Sequence, residues 1–230
     1  LLEPVGKNTA PAITVGCLKA IENHKDPSLL VLPADHIIED IKTFIKVLDK
    51  ALDDVKRGKV ITFGITPSKP ETGFGYIESE KELDNNTLKG EKIVNFIEKP
   101  DLETAKKLVC DKRFTWNSGI FFFKAEVFLQ ELFKYKVNIY EICKKALSSK
   151  TLDLDFQRLE ANSFSLCEDI SIDKAIMEKT NLGMVYPLKA GWSDIGSWKS
   201  MWEVSDKDEV GNSIIGKVMT NNVKNSYLRS

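Results

Sequence analysis

The stretch SLLVLPADHIIEDIKTFIKVLDKALDDVKRGKVITFGI, residues 28–65, decides the fold. It opens on Ser28–Leu32, a short apolar run before a proline that is typical of a buried strand. Apolar residues then recur at steps of three and four over Ile41–Val55, and Gly58 follows, which is the pattern of a helix and its end. Val60–Ile65 returns to the pattern of a strand. Strand, helix and strand in this order predict an α/β fold with a largely parallel sheet.

The rest of the chain continues this alternation. Further strands are predicted at Tyr76–Glu80, Lys92–Glu98, Ser118–Phe123 and Gly183–Leu188. Further helices are predicted after Thr9 and after Asp101, each acting as a helix cap, and at Glu126–Phe133, Asn138–Leu147 and Ile172–Lys179. Neither a repeat nor a low-complexity segment interrupts them.

Charge and composition exclude several classes of function. The 230 residues carry 33 Lys and Arg against 34 Asp and Glu, a formal net charge of −1, so no nucleic-acid partner is expected. The longest apolar stretch, around Ile120–Phe123, ends at Lys124 and is far too short to span a membrane, so no membrane partner is expected either. The four cysteines are far apart and form no zinc-binding pattern, which predicts reduced thiols and a cytoplasmic location.

Two loops present a single aspartate each where a predicted strand ends. Asp35 follows the first strand and could hold a divalent cation, or cap a helix that begins near Ile38. Asp194 lies in the glycine-framed turn Gly191–Trp198 and could hold the same cation, or bind backbone N–H groups within a tight turn. If the two loops meet at one sheet edge, both carboxylates could share Mg²⁺ with a phosphate substrate. Local sequence leaves each pair of alternatives open.

Three more loops carry polar or small residues. Glu98 and Lys99 end a strand, where one side chain could bind hydroxyls and the other a phosphate, or both could be solvated. Asn117 precedes an apolar strand and could bind sugar hydroxyls or form a turn. Gly73 and Gly75 would let backbone N–H groups approach a ligand, or form a hairpin turn.

In combination, these motifs resemble the bacterial mannose-1-phosphate guanylyltransferases, including the type fused to a phosphomannose isomerase. The resemblance covers essentially the whole chain. The matching stretches are Glu3–Ile13, Leu32–His36, Thr62–Ile65, Pro70–Ile77, Phe96–Asp101, Trp116–Gly119, Ser171–Asp173, Met177–Lys179 and Gly191–Trp198. It implies a Rossmann-like nucleotidyltransferase fold with a mixed, largely parallel sheet flanked by helices. It also implies transfer of GMP from GTP to mannose 1-phosphate, which yields GDP-mannose and pyrophosphate.

The resemblance assigns roles by position. Asp35 and Asp194 match the carboxylates that hold Mg²⁺ and, with Lys99, which matches the lysine at the sugar phosphate, form the catalytic set. The positions that match sugar contacts are Gly73, Glu98, Asn117 and Asp173, and those that match nucleotide contacts are Glu3, Asn8 and Thr9. His36 is expected to orient Asp35.

The family's glycine-rich nucleotide loop with its arginine has no counterpart in this sequence. We therefore expect a nucleotidyltransferase core at residues 1–208 that is incomplete at its N-terminus. Residues 209–230 should begin a C-terminal β extension. The 230 residues alone should have lost most activity, and the parent protein could add a mannose-6-phosphate isomerase domain. A homodimer is one expected assembly. A nucleotidyltransferase for another sugar 1-phosphate and a non-catalytic nucleotide-sugar binder remain alternatives.

Overall fold

A computed structural model describes residues 1–230. Twelve strands alternate with the helices along the chain. The strands are β1 Ser28–Val31, β2 Ile37–Ile38, β3 Val60–Ile65, β4 Tyr76–Ser79, β5 Glu91–Ile97, β6 Phe114–Lys124, β7 Thr151–Asp153, β8 Phe156–Arg158, β9 Gly183–Pro187, β10 Trp192–Ser193, β11 Ser213–Ile215 and β12 Tyr227–Arg229.

The central sheet has six strands in the order β1-β6-β3-β9-β5-β4. Because β6 and β5 run against the other four, β1, β3, β9 and β4 point in one direction. Among hydrogen-bonded neighbours, however, β3 and β9 are the single parallel pair. The predicted mixed α/β architecture is confirmed. Four of the six strands point in one direction, as expected of a mixed, largely parallel sheet, and the antiparallel neighbours arise because β6 and β5 run against these four.

Six α-helices and one π-helical segment complete the fold. They are α1 Thr9–Asn23, α2 Ile41–Lys56, α3 Leu102–Val109, α4 Ala125–Ser148, α5 Ala161–Ser165, the π-helical segment Asp173–Met177 and α6 Trp198–Val204. The two helices predicted between residues 126 and 147 are one element, α4, with a non-helical residue at Lys136. The helix predicted at Ile172–Lys179 is the shorter π-helical segment.

Side-chain caps mark where five of the six α-helices begin, α1, α2 and α3 among them. Asp101 accepts a hydrogen bond from the Thr104 amide at 2.7 Å, which confirms the predicted cap of α3. For α1 the predicted cap at Thr9 is wrong, because the side chain of Asn8 accepts from the Thr9 amide at 2.9 Å. α2 is capped by Asp40.

Helices cover both faces of the sheet. On one face α1 and α4 bury a core in which the rings of Phe123 and Phe128 stack at 5.0 Å. On the other face α2 packs Phe44 against Phe63 of β3 at 6.1 Å. None of the helices is both long enough and apolar enough to cross a membrane.

Three small pairings lie outside the central sheet. β10 pairs with β2, β7 with β8, and β11 with β12. The first of these matters most for the site, because it joins the loop after β1 to the loop after β9. In the last segment, β12 packs beside α6, with the ring of Tyr227 5.9 Å from that of Trp198.

Candidate active site

One cleft of about 480 Å³ gathers residues from most of the chain. It lies between the start of α1, the end of β1, the loop before β4, the end of β5, the middle of β6 and the π-helical segment. Seven of the ten predicted site residues line it, namely Thr9, Gly73, Glu98, Lys99, Asn117, Asp173 and Asp194. The structure therefore brings residues from six separate motifs to one place.

Asp194 reaches the cleft through the pairing of two very short strands. In the antiparallel β2–β10 pair, Ser193 lies opposite Ile37, so the chain continues with Asp194 across from His36. Both Asp35 and Asp194 lie close enough to His36 to act on it: burial lowers the pKa of His36, and these two negative charges oppose that shift. The loops after β1 and β9 thus converge.

The alternative roles of the two aspartates are not observed. Asp35 does not cap a helix, because α2 begins at Ile41 and its cap is Asp40. In the turn after β10, the Ile195 amide donates to Ser193 Oγ at 3.4 Å, and the Asp194 carboxylate takes part in no hydrogen bond. Both carboxylates are left free for another ligand.

Asp35 nevertheless lies at the margin of the site. Its side chain is 83% exposed, its carboxylate Oδ1 is 4.0 Å from His36 Nε2, and it is absent from the cleft wall. His36 is held more firmly, since its Nδ1 accepts a hydrogen bond from Trp192 Nε1 at 3.1 Å. That bond leaves the proton of a neutral His36 on Nε2, the nitrogen that faces Asp35.

A half-buried polar group forms another part of the wall. Asn117 Nδ2 donates to Asp173 Oδ1 at 2.9 Å, and burial raises the pKa of Asp173. Burial, followed by the negative charge of Asp173, also raises the pKa of Glu98. Two carboxylates with raised pKa values beside an amide are suited to accepting hydrogen bonds from an uncharged, hydroxyl-rich ligand.

Lys99 lies beyond the end of β5 and has a φ of 48°. In a regular strand, the side chains of Glu98 and Lys99 would point to opposite faces. The turn at Lys99 brings them to the same side, and Lys99 Nζ lies 3.9 Å from Glu98 Oε1. The Lys99 side chain is 65% exposed, whereas that of Glu98 is 15% exposed. The Lys99 ammonium group can therefore contact an incoming anion while the Glu98 carboxylate stays in the cleft wall.

The predicted nucleotide segment is only partly in the cleft. Thr9 lines it, and Thr9 Oγ1 accepts a hydrogen bond from the Ile172 amide at 2.9 Å, which ties α1 to the π-helical segment. Asn8 caps α1 and does not line the cleft. Glu3 also lies outside it, with a pKa raised by burial.

The sequence analysis gave no role to two aromatic side chains that line the cleft, Phe74 and Trp192. The ring of Phe74 lies edge-on to Trp192 at 5.5 Å and to Trp116 at 5.2 Å. Phe74 sits between Gly73 and Gly75, and Trp192 lies two residues before Asp194, so both belong to stretches already singled out. A second, more polar cavity of about 560 Å³ adjoins the cleft at these aromatics and at Asp194.

The residues suited to a divalent cation are Asp35 and Asp194. Nowhere in residues 1–230 do three or more His, Cys, Asp or Glu side chains form a cluster that could enclose a metal. Two free carboxylates next to an open cleft nonetheless fit Mg²⁺, which commonly binds one or two carboxylates together with substrate phosphates and water.

A model of the nucleotidyl transferase family matches residues 1–211. A mannose-1-phosphate guanylyltransferase of Salmonella montevideo is 47% identical over 233 residues, covering 100% of this chain and 49% of that protein. The chain spans about half the length of the curated relatives it matches.

Two solved structures are also similar. A Thermus thermophilus protein described as a mannose-1-phosphate geranyltransferase has a TM-score of 0.79 at 28% identity, over 94% of this chain and 61% of that one. A Helicobacter pylori protein described as a mannose-6-phosphate isomerase has a TM-score of 0.73 at 37% identity, over 84% and 72%. The resemblance to mannose-1-phosphate guanylyltransferases is confirmed, and the chain belongs to the nucleotidyl transferase family.

Proposed function

We propose that the protein transfers GMP from GTP to mannose 1-phosphate, with release of pyrophosphate. The observation that carries the proposal is the single cleft lined by Asp194, Lys99 and the polar group of Glu98, Asn117 and Asp173. Lys99 is suited to a phosphate, Asp194 to a cation that neutralises phosphate charge, and the polar group to a sugar. The names of the relatives, such as the Salmonella montevideo protein, support the choice of guanylyl transfer and of mannose.

The reaction brings two anions together. A phosphate oxygen of mannose 1-phosphate forms a bond to the α-phosphorus of GTP, and the bond from that phosphorus to the oxygen bridging to the β-phosphorus breaks. No general base is needed, because the attacking phosphate is already ionised at neutral pH. Positioning and charge neutralisation therefore supply most of the catalysis. Lys99 would offset the charge of the incoming phosphate as a compact cation.

Asp35 and Asp194 would hold Mg²⁺. When bound, the ion would neutralise part of the phosphate charge. Nucleotidyl transferases generally use a divalent metal in this way. The chain's own contribution is to bring both carboxylates to His36 through the β2–β10 pair, with His36 fixed by Trp192 Nε1 at 3.1 Å. In this role His36 is a positioning residue that orients Asp35.

Glu98 would accept hydrogen bonds from the sugar. Glu98→Gln removes the charge but keeps the shape, so we expect mannose 1-phosphate to bind about tenfold more weakly while GTP binding changes little. Because the pKa of Glu98 is raised by burial, acidification should weaken sugar-phosphate binding at a higher pH than an ordinary glutamate would allow. Calorimetric titrations of wild type and variant across a pH series measure both effects.

Mannose 1-phosphate itself titrates over the pH series, but it does so equally with wild type and with Glu98→Gln. The difference in affinity between the two proteins therefore reports the titration of the protein. In Glu98→Gln the acid-side loss should be smaller, and what remains should follow Asp173, whose pKa is also raised. Equal affinity for mannose 1-phosphate in wild type and variant at neutral pH would contradict the sugar contact.

The activity is tested by pyrophosphate release from GTP, mannose 1-phosphate and Mg²⁺, with EDTA as the metal-free control. Substituting other nucleoside triphosphates, or glucose 1-phosphate for mannose 1-phosphate, tests the alternative sugar nucleotidyltransferases. Calorimetric binding of GDP-mannose without pyrophosphate release would favour a non-catalytic binder. Interconversion of mannose 6-phosphate and fructose 6-phosphate tests the activity named for the Helicobacter pylori neighbour.

The turnover of residues 1–230 in this assay, set against that of a relative with the family's glycine-rich nucleotide loop, tests the expected loss of activity. Full turnover by residues 1–230 would contradict that expectation and leave the proposed reaction intact. The cytoplasmic location, the homodimer and the domain boundary at residue 208 stay predictions. Gel filtration tests the dimer, and limited proteolysis tests the boundary.

A further inference from the structure

A buried hydroxyl lies behind the candidate sugar contacts. Thr62 of β3 is 0% exposed, so it cannot touch a ligand in the cleft. Its Oγ1 lies 2.9 Å from Asn117 Oδ1 and 3.0 Å from the Ile120 carbonyl oxygen. A threonine hydroxyl has one proton to donate, and both of these neighbours can accept it.

The backbone of β6 fixes which end of the Asn117 amide faces Thr62. The Gly119 amide lies 3.3 Å from Asn117 Oδ1, and a backbone N–H can only donate, so the amide oxygen must lie on this side. The nitrogen then faces Asp173 Oδ1 at 2.9 Å. The second hydrogen of Nδ2 has no partner within the protein, and Asn117 lines the cleft.

The contact between Thr62 and Asn117 depends on an irregular register between β3 and β6. The pairing of β3 with β6 shifts between Thr62 and Gly64, and Gly119 at this point has a φ of 70°. The shift sets Asn117 opposite Gly64, next to Thr62. A regular ladder would not bring the Thr62 hydroxyl and the Asn117 amide together in this way.

We propose that Thr62 is a positioning residue whose hydroxyl holds the Asn117 amide so that one N–H binds Asp173 and the other is offered to a sugar hydroxyl. The proposal rests on the proposed function only for the identity of that hydroxyl. The arrangement of Thr62, Asn117 and Asp173 consists of contacts within the protein itself. The free N–H of Asn117 is then a donor with a fixed direction, so it selects a sugar oxygen that accepts a hydrogen bond.

The first test needs no ligand. Thr62→Val keeps the volume and removes the hydroxyl, whereas Thr62→Ser keeps the hydroxyl. The side-chain NH₂ signals of Asn117 are identified by their loss in Asn117→Asp and compared by ¹⁵N NMR. We expect them to shift and to exchange faster with water in Thr62→Val, and to stay close to wild type in Thr62→Ser. Unchanged Asn117 signals in Thr62→Val would overturn the proposal.

The second test measures affinity by calorimetry. Loss of one neutral hydrogen bond should weaken mannose 1-phosphate binding about fivefold in Thr62→Val, with GTP affinity unchanged and Thr62→Ser close to wild type. An equal loss for GTP, or the same loss in Thr62→Ser, would mean general disruption and would overturn the positioning role. Should Thr62→Val not fold, Thr62→Ala removes the hydroxyl without adding a methyl group in its place.

The two proposals fail in different ways. If wild type does not bind mannose 1-phosphate, the proposed function fails, and the NMR comparison still decides the role of Thr62. If wild type binds it and Thr62→Val binds it equally well, the role of Thr62 fails, and the proposed function stands.

Discussion

Asp194→Asn is expected to lower the turnover number about 100-fold or more, close to 3 kcal/mol of transition-state stabilisation. Of the two carboxylates proposed to hold the cation, Asp194 is the one that lines the cleft. It takes part in no hydrogen bond with the protein, and it lies where the cleft meets the second cavity. Removing its charge should weaken cation binding without removing any internal contact. Unfolding temperature should therefore stay near that of wild type, because the Asp194 side chain makes no hydrogen bond within the fold.

The effect on the cation is measured separately from activity. Mn²⁺ serves as a paramagnetic substitute, and its binding is followed by the loss of free-ion signal in electron paramagnetic resonance. The matched control is Asp155→Asn, the same chemical change at an exposed turn between β7 and β8. Unchanged Mn²⁺ affinity and unchanged turnover in Asp194→Asn would show the metal assignment to be wrong.

The sequence predicted the elements well where local physics decides them. The helix at Ile41–Lys56 follows from apolar residues at helical spacing, and β3 appears at the residues expected. Pairing partners were harder, because the pattern of a strand does not reveal its neighbours. The long strand β6 pairs with β1, β3 and β4, and this one element makes most of the neighbouring strands antiparallel.

The site was predictable as a set of residue types but not as a geometry. Asp194 meets His36 because of a two-residue pairing between β2 and β10, which is too short to leave a sequence signal. Glu98 and Lys99 lie near each other because Lys99 adopts a positive φ, a conformation that non-glycine residues seldom take. The Thr62–Asn117 contact depends on a register shift. Each of these is a tertiary property.

Gly75 illustrates how the structure changes an interpretation. From sequence, the glycines of the loop before β4 could either let backbone N–H groups approach a ligand or form a hairpin turn. In the structure, a Cβ at Gly75 would lie 2.6 Å from Glu98 Oε2 and 3.3 Å from Phe96 Cε1. The Gly75 carbonyl oxygen also accepts a hydrogen bond from the backbone N–H of Asn117 at 2.8 Å. The missing side chain thus makes room for the Glu98 carboxylate beside Asn117.

Gly75→Ala is therefore expected to reduce kcat/KM for mannose 1-phosphate about 100-fold, because a displacement of about 1 Å at positioned groups has costs of this size. Glu98 would have to move away from a methyl group that lies against Phe96 on one side and, at 3.5 Å, Asn117 Cβ on another. The control is Gly16→Ala in α1, where a Cβ meets nothing within 4 Å and alanine favours the helix. Steady-state kinetics with each substrate varied in turn should locate the loss in the sugar phosphate rather than in GTP. Wild-type kinetics in Gly75→Ala would mean that Glu98 does not contact the substrate from this position.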